Sequence, residues 1–520
     1  MNRYVLGVHS GHDSSACLFC DCRMVMAIER ERLTRKKHDS GEPIECIEYI
    51  LDANGLDYSD IDLVVRVNWY NSAEKNDDYY SRFKNVLIRY EHHLFHAYSV
   101  SITMDNPGII YVIDGRGCRP TDNNENGEHN VFETESVYFY DGTKISFLEK
   151  TYEKHYSNAY IWGSHMNSIG YIYADVSRLI FQDYNAAGKI MALASYGKKN
   201  DDIPKVIEYE NNTMAVSKKW LEYLNSQPYP LDYNTQIAKD ISYSLQCEVE
   251  KYIKMRVDVF IEKYKSRTLA LCGGVALNCK NNGELFNHCD LEKLYLFPAC
   301  GDNGIAVGAA VWGIRNYFKD NSKLSWKYDL GKKYGQVCYS QESIQEAVKL
   351  LYEGNVIGIF ENGSEFGPRA LCNRSLLALP SYPGIKNYLN SKIKHREWFR
   401  PFGGVMLERN ISKLTDDRIP NDNMLVAIKV KKDWIGIIPD LVHVDETVRV
   451  QIIRQDRKNS TIYRILEELE RKYGEFILIN TSFNGKGEPI VETPDEAKKT
   501  ALEIGIEYII LNGRVERIMR

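Results

Sequence analysis

His92 and His96 stand i and i+4 in HHLFHAYSV, so on a helix both rings leave the same face and can chelate one cation. Asp114 closes the apolar run GIIYVI, and Asp302 opens the glycine loop CGDNG. Acids at strand ends of an α/β protein stand on the face where ligands bind. Two imidazoles and two carboxylates suit a divalent metal of the iron, zinc or manganese kind. A histidine pair alone is more often an ordinary helix face; the two acids alter that balance. His93 is expected behind the pair or in solvent. His12 and Asp13 occupy the first polar turn, where His12 reads as a base, a phosphate contact or a solvated side chain. Lys36, Lys37 and His38 form a charge run, ordinarily a solvated face.

Two loops, CGGVALN and CGDNGIAVG, each follow a strand and open a helix. Such loops present backbone N–H groups to phosphate. Neither continues into Gly-Lys-Ser/Thr, so neither is a P-loop, and packing turn and nucleotide loop remain equally open. In the second half, SEFGPRALCNRSLL places Arg369 and Arg374 near a Gly-Pro turn. NSKIKHREWFRPFGG carries Lys392, Lys394, Arg396 and Arg400, interrupted by Trp398, Phe399 and a proline. A plain basic run would be surface; the aromatic breaks favour a half-buried anion pocket, and arginine forks with lysine point charges suit a triphosphate. LINTSFNGKGEP adds Asn480, Thr481, Ser482 and Asn484 after a strand, polar groups that need partners if buried. A single-stranded nucleic-acid groove is the rival reading of that pocket.

The elements that must hold these residues read as α/β. The opening YVLGVHSGHDSSACLFCDCRMVMAIERERL reads strand, turn, strand, turn, strand, helix. IECIEYILDANGL is an amphipathic helix ending at Asn54-Gly55, and DLVVRV a buried strand. Residues 81–104 read as helical and carry the histidines. Residues 120–160 read as loops and hairpins, and 234–265 as one long helix. TLALCGGVALNCKNNGEL and LYLFPACGDNGIAVGAAVWGI repeat strand, loop, helix. Residues 319–335 are polar and aperiodic and mark a domain boundary, giving domains 1–330 and 336–520. No short internal repeat shows.

A chain of 520 residues exceeds one compact core. Its 26% charged and 44% hydrophobic residues exclude disordered and fibrous classes. A net charge of -5 gives no global pull toward nucleic acid, though a local basic groove stays open. No apolar run approaches the roughly 18 residues of a membrane span, and the start lacks an apolar leader core. Twelve scattered cysteines fit free thiols of a reducing compartment. The expectation is a cytoplasmic protein, in the host cytoplasm if the source is viral, with no membrane partner and with a homodimer permitted.

Taken in order, GHDSSA, ERERLTRKKHD, HHLFHA, IDGRG, GKIMALASYG, GGVALN, GDNGIAVGAA, FGPRALCNRS, KIKHREWFRPF, HVDETVRVQ and NTSFNGKGEPIV resemble the carbamoyltransferases related to nodulation protein U and to the tobramycin and cephamycin carbamoyltransferases. The resemblance covers nearly the whole chain. It implies an actin-like, double-lobed N-terminal domain of the threonylcarbamoyl-transferase kind and a YrdC-like α/β C-terminal domain. The C-terminal domain would form carbamoyladenylate from carbamoyl phosphate and ATP with Mg(II), through Arg369, Arg374, Lys392, Lys394, Arg396, Arg400, Arg449, Asn480, Ser482 and Asn484. The N-terminal domain would hold Fe(II) or a similar ion on His92, His96, Asp114 and Asp302. It would hold the adenylate with Gly188, Lys189, Gly273, Gly274, Asn278, Gly301 and Gly304. His12 maps to the family's catalytic histidine and Lys37 to its lysine near the acceptor. The acceptor hydroxyl belongs to a small metabolite (a sugar or an antibiotic) or to 5-hydroxymethylcytosine in viral DNA. Where the family commonly carries glycine, this chain carries Cys372 and Glu446. The competing classes are a nucleotide-binding actin-like module without transfer activity and a kinase.

Overall fold

The computed structural model describes residues 2–68, 77–123, 128–210 and 213–518. The chain divides into two compact units. One unit joins the segment up to Arg66, a stretch ending at Leu87 and everything from Ser322 onward; the other is chiefly Ile88–Asn321. The physical reason lies inside the first unit. Arg23 bridges to Ser325, Arg32 donates to the Gly367 carbonyl at 2.9 Å, and Arg35 donates to the carbonyls of Pro489 and Ile490 at 2.9 and 2.7 Å.

In the first unit the opening strands Tyr4–His9, Ser15–Cys20 and Arg23–Glu29 form an antiparallel meander. It continues through Ile61–Val67 to Val86–Arg89, so the strand order in chain sequence is 3-2-1-4-5. The Ile44–Asn54 helix lays Cys46, Ile47, Ile50 and Leu51 into the core and stops where Gly55 turns left-handed, φ 63°. VLIR is a strand, not part of the helix expected over 81–104: three branched apolar residues take an edge position.

The second unit repeats that order. Gly108–Ile113, Val131–Tyr140 and Ile145–Tyr160 make an antiparallel meander, and Thr268–Cys272 and Lys293–Leu296 add in parallel on the far side of the first strand. Five strands thus stand in the same order in both sheets, with Gly163–Met166 added at the edge of the second. The hairpin expected within residues 120–160 is formed by the two long strands Val131–Tyr140 and Ile145–Tyr160. The Gln236–Tyr264 helix buries Ile241, Leu245, Val249, Ile253, Val257 and Phe260 at helical spacing. No helix among the described residues is long and apolar enough to cross a membrane. All twelve cysteines are unbridged.

The remainder of the first unit is a mixed eight-stranded sheet whose centre pairs Arg374–Ala378 with Ile477–Ser482 and that with Gly403–Leu407. The Gln341–Tyr352 and Thr461–Tyr473 helices cover it through Ile344, Val348, Ile462, Ile465 and Leu469. Cys372 and Glu446 adopt φ of 69° and 63°. Left-handed backbone costs a non-glycine residue about 1–2 kcal/mol, partly offset because glycine loses more entropy on folding. Glu446 is exposed, so Glu446→Gly is expected to stabilise this domain by about 0.5–1 kcal/mol and to raise its thermal midpoint by about 2 °C; differential scanning calorimetry checks it.

Candidate functional site

The His92–Ser101 helix carries the histidines on its first and second turns. It is held by backbone proximity rather than by large side chains. A Cβ built on Gly308, in the Ile305–Trp312 helix, would stand 1.9 Å from the Phe95 carbonyl oxygen. Gly308→Ala is therefore expected to destabilise this unit by about 3 kcal/mol and to lower bound metal, read by thermal melting and metal analysis of the purified protein. Asp114 follows the central strand, and its Oδ1 accepts from the N–H groups of Gly115 and Gly274 at 2.8 and 3.2 Å. Gly273 makes that approach, with φ 88° and no room for a Cβ against Ile113. Asp302 starts the short turn Asp302–Gly304.

These four side chains converge. His92 Nε2 lies 3.2 Å from Asp114 Oδ2, 3.4 Å from Asp302 Oδ1 and 3.2 Å from His96 Nε2. His96 Nε2 lies 3.6 and 3.4 Å from the same two oxygens. All four ligand atoms fall within 4.8 Å of one another. Burial alone would lower His92, but Asp302 and Asp114 outweigh it and push the ring up to about 10. Burial and the neighbouring Asp302 charge would raise Asp114, yet His92 and His96 hold it below the usual carboxylate range. Two imidazole nitrogens and two carboxylates aimed at one buried point satisfy the donor chemistry of a divalent cation. Behind them His93 is fully buried: its backbone N–H donates to Glu133 at 3.0 Å and its Nδ1 lies 2.8 Å from Ser136 Oγ. Burial keeps His93 neutral, down to about 4. Lys150 neutralises Glu133 at 2.5 Å.

The first unit holds a cationic pocket. Lys394 is buried, and its ammonium donates to the Ser482 carbonyl at 2.5 Å, the Asn484 carbonyl at 3.0 Å and Asn484 Oδ1 at 2.7 Å. These three partners are all neutral oxygens. Burial first, then Arg396, Lys37 and Arg400, hold it well below the ordinary lysine value, with Glu488 opposing. Arg396 packs over Phe402 at 4.3 Å and donates to Asn390 Oδ1 at 2.7 Å. Burial, Arg400 and Arg449 weigh against its charge. Five cations thus gather, with Glu397 pairing Arg400 at 3.5 Å and Glu488 opposing Lys394's loss of charge, an arrangement that a polyanion would relieve.

Known relatives bear on both clusters. Residues 348–517 match the model described as Carbamoyltransferase C-terminus, and residues 4–80 and 68–311 match Carbamoyltransferase N-terminus. The chain belongs to the carbamoyltransferase family. It is 26% identical over 567 residues to nodulation protein NolNO of Sinorhizobium fredii, covering 96% of this chain and 78% of that one. It is 25% identical over 572 residues to nodulation protein U of Rhizobium tropici, covering 98% and 95%. An uncharacterised protein of Methanocaldococcus jannaschii is 26% identical over 544 residues, covering 98% of both chains. Among solved structures, full-length HypF in a phosphate- and nucleotide-bound form aligns at 13% identity and TM-score 0.39, over 62% of this chain and 56% of that one.

Within this carbamoyltransferase the residues expected from sequence separate into those brought together and those not. His92, His96, Asp114 and Asp302 form one cluster; Lys37, Lys394, Arg396, Arg400 and Arg449 form another with Ser482 and Asn484. Lys37 was expected with the acceptor, and it is the neighbour of Arg400, Lys394 and Asp13. Arg374 is buried and committed to carbonyls, donating to Glu361 at 2.7 Å and to Asn373 at 3.0 Å while lying over Phe360. Asn480 turns to Ala370, Cys372 and Gln451. Lys392 is exposed and Arg369 half-buried. Asn278 caps the Cys279–His288 helix and bonds Tyr173 and Gln246. Gly188 and Lys189 lie in the Ala187–Ala194 helix, the lysine over Phe181 at 4.9 Å. Gly301 precedes the Asp302 turn and Gly304 packs on the Ala299 carbonyl. His12 pairs with Asp13 at 3.2 Å, and His38 with the other oxygen at 2.8 Å. Sequence reading missed that second pairing, because 25 residues separate its partners and His38 sits in a run of basic residues.

Proposed function

We propose that the protein is an ATP-dependent O-carbamoyltransferase that works through carbamoyladenylate. The observation that carries the reading is the pairing of two unlike constellations in one carbamoyltransferase chain: a polycationic pocket and a buried His2Asp2 cluster. In the pocket, Lys394, Arg396, Arg400, Arg449 and Lys37 would bind the phosphates of ATP with Mg(II) and carbamoyl phosphate. Ser482 and Asn484 fix Lys394 through neutral oxygens, so its charge is available to phosphate rather than cancelled by an acid. Hydrolytic loss of inorganic phosphate from carbamoyl phosphate would leave carbamate, and attack of a carbamate oxygen on the α-phosphorus would break its bond to the β-phosphate oxygen, releasing pyrophosphate and leaving carbamoyladenylate.

In the other unit, His92, His96, Asp114 and Asp302 would hold Fe(II) or a similar ion. Such an ion supplies Lewis-acid polarisation of a carbonyl or phosphoryl oxygen. Asp114 is kept ionised and oriented by the two glycine N–H groups, and the Glu133–Lys150 pair fixes His93 beneath the ligands. His12, a residue of the first unit, would take the proton of the acceptor hydroxyl, a weak nucleophile that needs a base. The acceptor is a hydroxyl of a small metabolite or of 5-hydroxymethylcytosine in DNA.

The test is pyrophosphate release from ATP by anaerobically purified, metal-replete protein, with and without carbamoyl phosphate. Release that depends on carbamoyl phosphate supports the reading. Equal release in both, or none in either, overturns it.

A further inference from the structure

His12, Asp13 and His38 form a third constellation, set by two loops of the first unit. Asp13 lies between the strands Tyr4–His9 and Ser15–Cys20, and His38 follows the Arg30–Thr34 helix. Both adopt positive φ, 52° and 56°. The loops are stitched together: Ser14 N–H donates to the Asp39 carbonyl at 3.1 Å, Thr34 Oγ1 to Asp39 Oδ2 at 2.7 Å, and His38 N–H to Glu31 Oε2 at 2.9 Å. Strained backbone at two residues that share one contact is the signature of a site held in place by its surroundings. Asp13 bridges the imidazoles, Oδ2 to His12 Nδ1 at 3.2 Å and Oδ1 to His38 Nδ1 at 2.8 Å, and the rings stack 5.4 Å apart at 19°. The three side chains are about one-third exposed, while His12 Nε2 itself is turned inward, away from solvent.

We propose that Asp13 and His38 are positioning residues for His12, a role that rests on the reading of His12 as the hydroxyl's base. Asp13 takes the Nδ1–H of His12, which selects the tautomer whose Nε2 is the basic nitrogen. In the transfer step the acceptor O–H proton passes to Nε2. The freed oxygen bonds to the carbamoyl carbon of the adenylate, and the bond from that carbon to the AMP oxygen breaks, releasing AMP. His38 draws on the other oxygen of Asp13 and so tempers how strongly Asp13 stabilises the imidazolium. A cation there would meet the charge of Lys37, which lies near Asp13. Glu31 and Asp39 bond within the same loops, and Lys37 in turn has Arg32 and Arg400 as neighbours.

The experiment uses the full chain with 15N-labelled histidine side chains, the His12 signals being assigned with His12→Gln. Long-range 15N spectra report tautomers directly. The wild type is expected to show His12 protonated at Nδ1, and Asp13→Asn to lose that preference. In parallel, AMP formation from ATP and carbamoyl phosphate is followed against pH with glycerol as model alcohol. Asp13→Asn is expected to slow it by about 10²-fold or more, with the acid limb of the profile moved to lower pH. His38→Gln is expected to cost about tenfold or less and to move that limb to higher pH. Carbamoyl-phosphate-dependent pyrophosphate exchange should persist in both variants. An unchanged His12 tautomer in Asp13→Asn, or identical pH profiles for the two variants, overturns the proposal. Absent pyrophosphate exchange in the wild type would instead defeat the functional reading beneath it, and the tautomer measurement would still decide the role of Asp13.

Discussion

His96→Ala is expected to abolish carbamoyl transfer, by about 10³-fold or more, while pyrophosphate release from ATP and carbamoyl phosphate continues in the same preparation. The scale follows from the several kcal/mol that a Lewis acid contributes to an acyl-type transfer. The separation of effects follows from the architecture: His96 belongs to the Ile88–Asn321 unit and the cationic pocket to the other. His96 is completely buried, with its Nε2 directed at Asp114 and Asp302. Removing it leaves two carboxylates facing one imidazole, so the cluster loses both a ligand and part of the positive counter-charge that keeps the acids ionised without metal. Metal analysis of the variant should show loss of bound ion, and Asp302→Asn should behave alike. Equal losses of pyrophosphate release and transfer would instead indicate a folding defect, which circular dichroism would reveal.

Lys394→Met carries the second large expectation. Its side chain is of similar length and already surrounded by protein, so the fold should survive. Pyrophosphate release should fall by about 10²–10³-fold, the range for loss of one preorganised cation at a phosphoryl centre. The wild-type lysine is held below its ordinary value by burial and by Arg396, Lys37 and Arg400. A bound polyanion offsets that crowding of positive charge. Phosphate or pyrophosphate should therefore stabilise the wild type in thermal melts. That stabilisation should shrink in Lys394→Met. Because Ser482 and Asn484 accept from Lys394, Asn484→Ala should weaken the same half-reaction more mildly.

Much of this arrangement could be read from local pattern. The four metal-ligand candidates were found by helical spacing and by acids at strand ends, both short-range signals. The basic pocket was found because aromatic residues interrupt its charges. What stayed hidden depends on contacts far apart in sequence. The shared strand order of the two lobes leaves no sequence repeat, since topology constrains burial and not residue identity. Helical periodicity ran through VLIR into the histidine helix because an edge strand and a helix both accept branched apolar residues there. Asn278 has the composition of a ligand residue, yet a buried network with Tyr173 and Gln246 uses it. Arg374 matched a basic motif, but packing over Phe360 and three carbonyl partners commit it to the fold. Lys37 and His38 looked like a solvated charge run, and only the packing of their loop against the first turn sets one beside Arg400 and the other against Asp13.

The most direct measurement is mass spectrometry of the nucleotide products formed by the His96→Ala protein from ATP and 13C-carbamoyl phosphate. The account predicts carbamoyl-AMP carrying the label, together with pyrophosphate, accumulating because transfer is blocked. ADP with inorganic phosphate, or AMP that never carries the labelled carbamoyl group, would contradict it.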